Sequence, residues 1–173
     1  GVWVDGTSGD VSNVYVGDPS DSSSGNYIYS NGAEGVLLSG NVHDSYVYYN
    51  RVGIDGLGNR APNGDGTGPN GDGGIVLSSG AHDNEVKRNE VAWHYYQNIA
   101  LVGSGTDSNV LSGNYVHCDP TLTEPQCYIG ILVSEGASNN VVGGDPSSWN
   151  IVAGHRYEGI AVYGQGTDGS EIS

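Results

Sequence analysis

The sequence predicts an all-β solenoid. The chain winds into about five to six stacked coils with three short strands in each, as one domain over residues 1–173. Three observations predict it. A Gly or Asn followed by aliphatic residues recurs along the chain, at Gly35-Val-Leu-Leu, Gly74-Ile-Val-Leu, Asn98-Ile-Ala-Leu, Gly130-Ile-Leu-Val and Gly159-Ile-Ala-Val. Val, Ile and Leu together supply 37 of 173 residues and Phe is absent. That share, about 21%, stands barely above the ~20% below which chains tend to stay disordered, so the aliphatics must be buried in a very regular way. The apolar segments are also two to four residues long with no helical period, too short to form a stable sheet unless each pairs with a copy about 4.8 Å above and below.

Taken in order, each coil repeats one plan. The first opens at Gly1-Val-Trp-Val, and its third segment is Asn26-Tyr-Ile28. Successive starts, at Val2, Val36, Ile75, Ile99, Ile131 and Ile160, are separated by 34, 39, 24, 32 and 29 residues. Eleven or twelve residues after each later start comes a second aliphatic: Val47, Val86, Leu111, Val142 and Ile172. A third aliphatic column is expected from Ile28, Val52, Val91, Val116 and Val152. One aliphatic per strand then points inward and makes a column. The asparagines before many strands (Asn84, Asn89, Asn109, Asn114, Asn140 and Asn150) tolerate left-handed backbone and can hydrogen-bond their copies, which predicts short Asn ladders at the corners.

The motif G-[IV]-x-[LV]…N-x-V-x-x-N-x-V, cleanest from Gly74 to Val91, resembles the right-handed parallel β-helix repeat family of pectate-lyase-like architecture over nearly the whole chain. The stretch 140–154, NVVGGDPSSWNIVAG, also resembles repeats of large secreted bacterial surface proteins. The resemblance implies a fold more than a function. The family holds polysaccharide lyases, hydrolases, epimerases, tailspikes, adhesins and purely structural solenoids.

Charge narrows the partners. Asp and Glu number 20 against five Lys and Arg, for a net charge of −15. Such a surface repels nucleic acid and anionic membranes and attracts cations. No apolar run approaches the ~18 residues of a membrane helix, so no membrane insertion is expected. Cys118 and Cys127 lie close together in CDPTLTEPQC, and we read them as a disulfide, which favours a secreted or cell-surface setting.

Candidate sites lie where loops lengthen. Long segments, Val52 to Ile75 and Val116 to Ile131, flank the short loop Ala92-Trp-His-Tyr-Tyr-Gln97, which is echoed by Ala153-Gly-His-Arg-Tyr-Glu158. Trp93, His94, Tyr96, His155 and Tyr157 are the candidate carbohydrate-binding residues, with His94 the candidate general base and Tyr96 beside it. The same aromatics could equally cover the hydrophobic end of each coil. In the longer loop, Asp55, Asn63, Asp65, Asn70 and Asp72 alternate oxygen ligands with glycines, a pattern suited to Ca²⁺ and equally to ordinary turns. No G-H-G motif with paired Asp, no Y-G-x-D-P-H signature and no constellation of nucleophile, base and anion clamp is present, so an enzyme is the weaker expectation.

Neither end shows a capping segment: Val2, Trp3 and Val4 enter a strand at once, and Ile172 closes the second strand of a sixth coil. These four are the expected assembly residues, meeting another copy head to tail or the rest of a longer solenoid. The sequence therefore predicts a structural extracellular β-solenoid that builds a filament or surface fibre. The alternative is a carbohydrate-binding or carbohydrate-active module using the cleft around Trp93 and His94.

Overall fold

The computed structural model describes residues 1–65, 72–119, 127–144 and 147–173. Among these residues all regular structure is β, arranged as three parallel sheets. Sheet 1 stacks β1 (Val2–Ser12), β4 (Val36–His43), β7 (Ile75–Ser78), β10 (Gln97–Val102), β13 (Ile129–Ser134) and β16 (Ile160–Tyr163). Sheet 2 stacks β2 (Tyr15–Val16), β5 (Tyr46–Tyr48), β8 (Glu85–Lys87), β11 (Val110–Ser112), β14 (Val141–Val142) and β17 (Glu171–Ile172). Sheet 3 stacks β3 (Tyr27–Ile28), β6 (Arg51–Val52), β9 (Glu90–Ala92), β12 (Tyr115–His117) and β15 (Ile151–Ala153). The chain visits the sheets in the order 1, 2, 3, so it is a parallel β-helix with three strands per coil.

The three columns the repeat predicts point inward, and sheet 1 adds a second inward row, Leu38, Leu77, Leu101 and Val133, beside the expectation of one aliphatic per strand. In sheet 1, Val2, Val36, Ile75, Ile99, Ile131 and Ile160 are paired in register, strand upon strand. Val16, Val47, Val86, Leu111, Val142 and Ile172 do the same in sheet 2. Ile28, Val52, Val91, Val116 and Val152 do so in sheet 3. The middle coils bury these side chains completely, in one continuous core cluster. Packing like on like lets a small aliphatic inventory fill the interior, because each side chain meets its own kind at the strand spacing.

The corners are Asn ladders. One runs Asn26, Asn50, Asn89, Asn114, Asn150. Its middle member shows the logic. Asn89 Oδ1 accepts from the backbone N–H and the amide of Asn50, at 2.9 and 3.1 Å. Its Nδ2 donates to Val47 O at 2.8 Å and to Asn114 Oδ1 at 3.1 Å. A second ladder links Ser45, Asn84, Asn109, Asn140 and Ser170. Buried amides thus satisfy corner backbone that the sheets cannot reach.

Three features depart from the sequence reading. The ladder asparagines are not themselves left-handed. Positive φ falls instead on the residue before most rungs, at Asp44, Asp83, Ser108 and Asn139 ahead of Ser45, Asn84, Asn109 and Asn140 in one corner, and at Tyr49, Arg88 and Gly113 ahead of Asn50, Asn89 and Asn114 in another. That preceding residue turns the chain, which leaves the Asn to point its amide inward. β1 also carries three more residues than β4 opposite, with the register shifting between Gly6 and Val11. Finally, the outward row of sheet 1 is buried too. Val76 and Ala100 have no exposed surface and pack with Leu132, Ala161, Leu37 and Ile129 in a second apolar cluster.

Candidate functional site

The corner from sheet 3 to sheet 1 collects the candidate residues. β9 ends at Ala92, Trp93 takes a positive φ of 74°, and the chain turns His94 into the coil. His94 has no exposed surface. Its Nε2 lies 3.1 Å from Asn63 Nδ2 and its Nδ1 lies 3.1 Å from Asn98 Oδ1. Asn63 Nδ2 can only donate, so Nε2 is the acceptor and Nδ1 carries the proton that is donated to Asn98. Burial pushes its pKa down to about 4, opposed by the hydrogen bond that Nδ1 donates to Asn98. His94 is therefore neutral at neutral pH with both nitrogens engaged. This placement corrects the reading of His94 as a base facing a glycan: the imidazole is a rung inside the helix, not a wall of a cleft.

The rung belongs to a third, mixed ladder. Asn31 Nδ2 donates to Asn63 Oδ1 at 2.7 Å, and Asn63 Nδ2 also donates to Ile28 O. On the far side, Asn98 Nδ2 donates to His155 Nε2 at 3.0 Å. His155 is half-buried, and its pKa is pushed down to about 4, first by burial and then by the neighbouring His117. Its Nδ1 is buried and has no hydrogen-bond partner. The sequence reading missed Asn31 and Asn98. A weak signal existed: Asn31, His94 and His155 each stand three residues after the inward aliphatic of sheet 3.

The remaining aromatics separate from His94. Trp93 is half-buried and meets His117 edge-on, with ring centroids 5.7 Å apart. Tyr96 and Tyr157 are exposed. Tyr128 stacks on Tyr157 at 5.2 Å and contacts Tyr95 and Tyr96 at 5.5 Å each. Arg156 lies over the rings of Tyr157 and Tyr128. The result is a tyrosine ridge with Tyr96 and Tyr157 exposed, an aromatic surface on which an apolar sugar face or another ring can pack.

Cys118 and Cys127 are disulfide-bonded, with Cα atoms 6.2 Å apart. Residues 120–126 between them lie outside the described residues. Cys127 N–H donates to the carbonyls of His94 and Tyr95, and Cys127 O accepts from Arg156 N–H. Cys127 therefore ties coil four to the corners of coils three and five.

Of the five oxygen-bearing residues proposed for Ca²⁺, the four described ones do not share one arrangement. Asp55 accepts from the backbone N–H groups of Leu57 and Asn59 and from Asn59 Nδ2, bonds that hold its carboxyl below the usual range. Asn63 points inward as a ladder rung, so it does not fit an ion in the loop. Buried Asp72 accepts from Asp65 N–H at 3.1 Å. Asn70 lies outside the described residues. Among the described residues no group of three or more His, Cys, Asp or Glu is placed to hold a metal.

The repeated His-Asp pairs form a surface stack. The rings of His43 and His82 lie 5.1 Å apart and nearly parallel. Each Nδ1 meets the following aspartate, Asp44 at 2.7 Å and Asp83 at 2.8 Å, and His43 Nε2 meets Asp10 at 2.6 Å. These carboxylates, Asp44 foremost, raise the His43 pKa. The expected assembly residues Val2 and Val4 are half-buried against the core, while Trp3 and Ile172 are exposed. Comparison with protein-family models, with curated proteins and with solved structures returns no match.

Proposed function

We propose that this chain is a structural segment of an extracellular β-solenoid rod, whose end coils dock on the coils of a second copy or of a longer chain. The single observation that carries this reading is His155. The rungs before it, Asn63, His94 and Asn98, are each bonded on both sides, whereas His155 Nδ1–H is a buried donor without an acceptor. A buried unpaired donor costs about 1–3 kcal/mol, and one more coil bearing an amide or carbonyl oxygen would remove that cost.

The apolar columns support the same reading. Ile172, the last member of the sheet 2 column, is 45% exposed, whereas its counterparts Val86 and Leu111 are fully buried. At the other end an apolar recess of about 290 Å³ lies beside Trp3 and Leu37. The disulfide supports an oxidising, extracellular setting, and the repeat's resemblance to pectate-lyase-like helices and to bacterial surface repeats agrees with a rod at the cell surface.

The test is sedimentation velocity with negative-stain microscopy over a range of protein concentrations. The expected result is rods in multiples of about 30 Å, the height of six coils at the strand spacing. Ile172→Lys should hold the particles at one unit length while leaving the β circular-dichroism spectrum intact. Wild-type particles that stay about 30 Å long at every concentration would overturn the proposal.

A further inference from the structure

At the corner from sheet 1 to sheet 2, polar side chains of the first three coils join in one network. β1 spends residues 7–10 where β4 opposite spends Asn41 alone, and that segment is exposed along its length. Asp10, its last residue, reaches coil two. Asp10 Oδ1 accepts from Asn41 Nδ2 at 3.2 Å and meets His43 Nε2 at 2.6 Å. Among the described residues these are the side-chain bonds that tie the segment to coil two. Thr7 bonds back to Asp5 in its own strand instead.

A neutral imidazole has one donor and one acceptor nitrogen, whereas an imidazolium donates from both. Here the ring nitrogens of His43 and His82 all face atoms that accept. His43 Nδ1 lies 2.7 Å from Asp44 Oδ2, and its Nε2 faces Asp10. His82 Nδ1 lies 2.8 Å from Asp83 Oδ2, and its Nε2 lies 3.1 Å from Asn41 Oδ1. The Asn41 amide is held this way round, because turning it over would set its oxygen against the Asp10 carboxylate. Every contact is therefore a hydrogen bond only when both rings carry two protons. The rings stack 5.1 Å apart, so two such cations repel, and the carboxylates of Asp10, Asp44 and Asp83 offset that repulsion. The next coil presents Asp107, whose carboxylate accepts from the Ser138 N–H and hydroxyl at 3.0 and 2.8 Å. The bonds to Asp44, foremost, and to Asp10 raise the His43 pKa above its ordinary 6.5.

We propose that His43 is a pH-sensitive latch: its imidazolium pins residues 7–10 of β1 to coil two, and its deprotonation lets that segment go. Neutral His43 keeps one proton. Asp44 is its chain neighbour and the stronger partner, so the proton stays on Nδ1 and the Nε2 lone pair then faces the Asp10 carboxylate. Two acceptors cannot share a hydrogen bond, and Asn41 alone is left to hold Asp10. Because the folded-state pKa is raised, the latch is fully closed below pH 6.5 and opens as pH rises through the folded-state value. The Asp10 and Asp44 side chains are 65% and 59% exposed, so the latch is weak and governs the exposed segment, not the core. β1 is an outermost strand of sheet 1. A bulge bends such an edge away from flat pairing, so the latch fixes the shape of that edge in mildly acidic surroundings and frees it in alkaline ones. Its contacts lie within one chain and do not depend on the docking of end coils.

The test is NMR of the intact, doubly labelled chain from about pH 5 to about pH 9, the range in which histidine titrates. Long-range ¹H–¹⁵N correlation of the imidazole rings follows His43. The shifts and ¹H–¹³C NOEs of the α-carbons of Thr7, Ser8, Gly9 and Asp10 follow the segment, and these signals survive solvent exchange at high pH. The expected result is a His43 midpoint above 6.5, with both ring nitrogens protonated below it. The four α-carbons should shift and lose their NOE with the same midpoint. Asp10→Asn should lower the His43 midpoint and leave the segment equally mobile at both ends of the range. His43→Gln, which does not titrate there, should abolish the shared inflection. Asp18→Asn removes one charge from a turn of the same coil, where Asp18 accepts from Ser20, and should change neither. Unchanged signals from Val36 and Ile75 verify that the core stays folded in each variant. A His43 midpoint at or below 6.5, segment signals that ignore that midpoint, or an Asp10→Asn chain that behaves as wild type would each overturn the assignment.

Discussion

Replacing His94 with Gln should remove a pH dependence that wild-type stability carries. The buried imidazole accepts at Nε2 and donates from Nδ1, and a Gln amide also offers one acceptor and donor groups without titrating between pH 4 and 8. The folded-state pKa of His94 is pushed from its ordinary 6.5 to about 4. In that interval the unfolded chain binds a proton that the folded chain refuses, so stability falls as pH falls. The stabilisation is fully present above pH 6.5, declines as pH drops below that value, and is lost by about pH 4. At about 1.4 kcal/mol per unit, a shift of this size corresponds to roughly 3 kcal/mol. His155 acts in the same direction, while His43, whose pKa is raised, acts in the opposite one. The wild-type curve alone therefore mixes signs, and the difference between wild type and variant isolates His94. Urea unfolding at pH 7.5, 6.5, 5.5 and 4.5 measures it. At pH 7.5 the variant should be less stable by about 1–2 kcal/mol through imperfect packing, and the gap should close or reverse toward pH 4.5. A gap that stays constant from pH 7.5 to 4.5 would refute the buried, neutral assignment.

Asn89→Ala should be far more damaging than Asn150→Ala. The first strands donors of Asn50, the carbonyl of Val47 and Oδ1 of Asn114 inside the helix, a loss of about 3 kcal/mol or more in chemical denaturation, whereas half-buried Asn150 at the last coil should cost about 1 kcal/mol. Reducing the Cys118–Cys127 bridge, which spans a sequence separation of nine, should lower stability by about 2–3 kcal/mol. Because the coils stack without it, the far-ultraviolet circular-dichroism spectrum should survive reduction, and its collapse would count against that expectation.

The inward columns were legible in the sequence because each strand places an aliphatic at a fixed position, and sheet 1 places a second two residues on, as in Ile75 and Leu77. Val36, Ile75, Ile99, Ile131 and Ile160 announce a sheet by repetition, whatever the length of loop between them. The Asn corners were legible for the same reason, since identical residues recur before identical strands. The candidate site was legible only in its composition. Trp93, His94 and Tyr96 are near neighbours in sequence, and their clustering suggested one shared surface. The backbone decided otherwise: the positive φ at Trp93 and the turn after it send His94 inward and Tyr96 outward.

What the sequence alone determined about this protein is its repeat, hence its three-stranded parallel coils, their core, and the cysteine pair. Only the tertiary structure could decide what each polar side chain does. Asn63, read as an ion ligand, became a rung, because its partners Asn31, His94 and Ile28 are more than 30 residues away along the chain. Val76 and Ala100, on the outward face, became buried in a second apolar cluster with Leu37, Leu132, Ala161 and Ile129 from other coils. Repetition is a local property that a sequence displays directly. Burial, tautomer and donor satisfaction depend on which distant residue occupies the next coil, and that is fixed only when the coils are stacked.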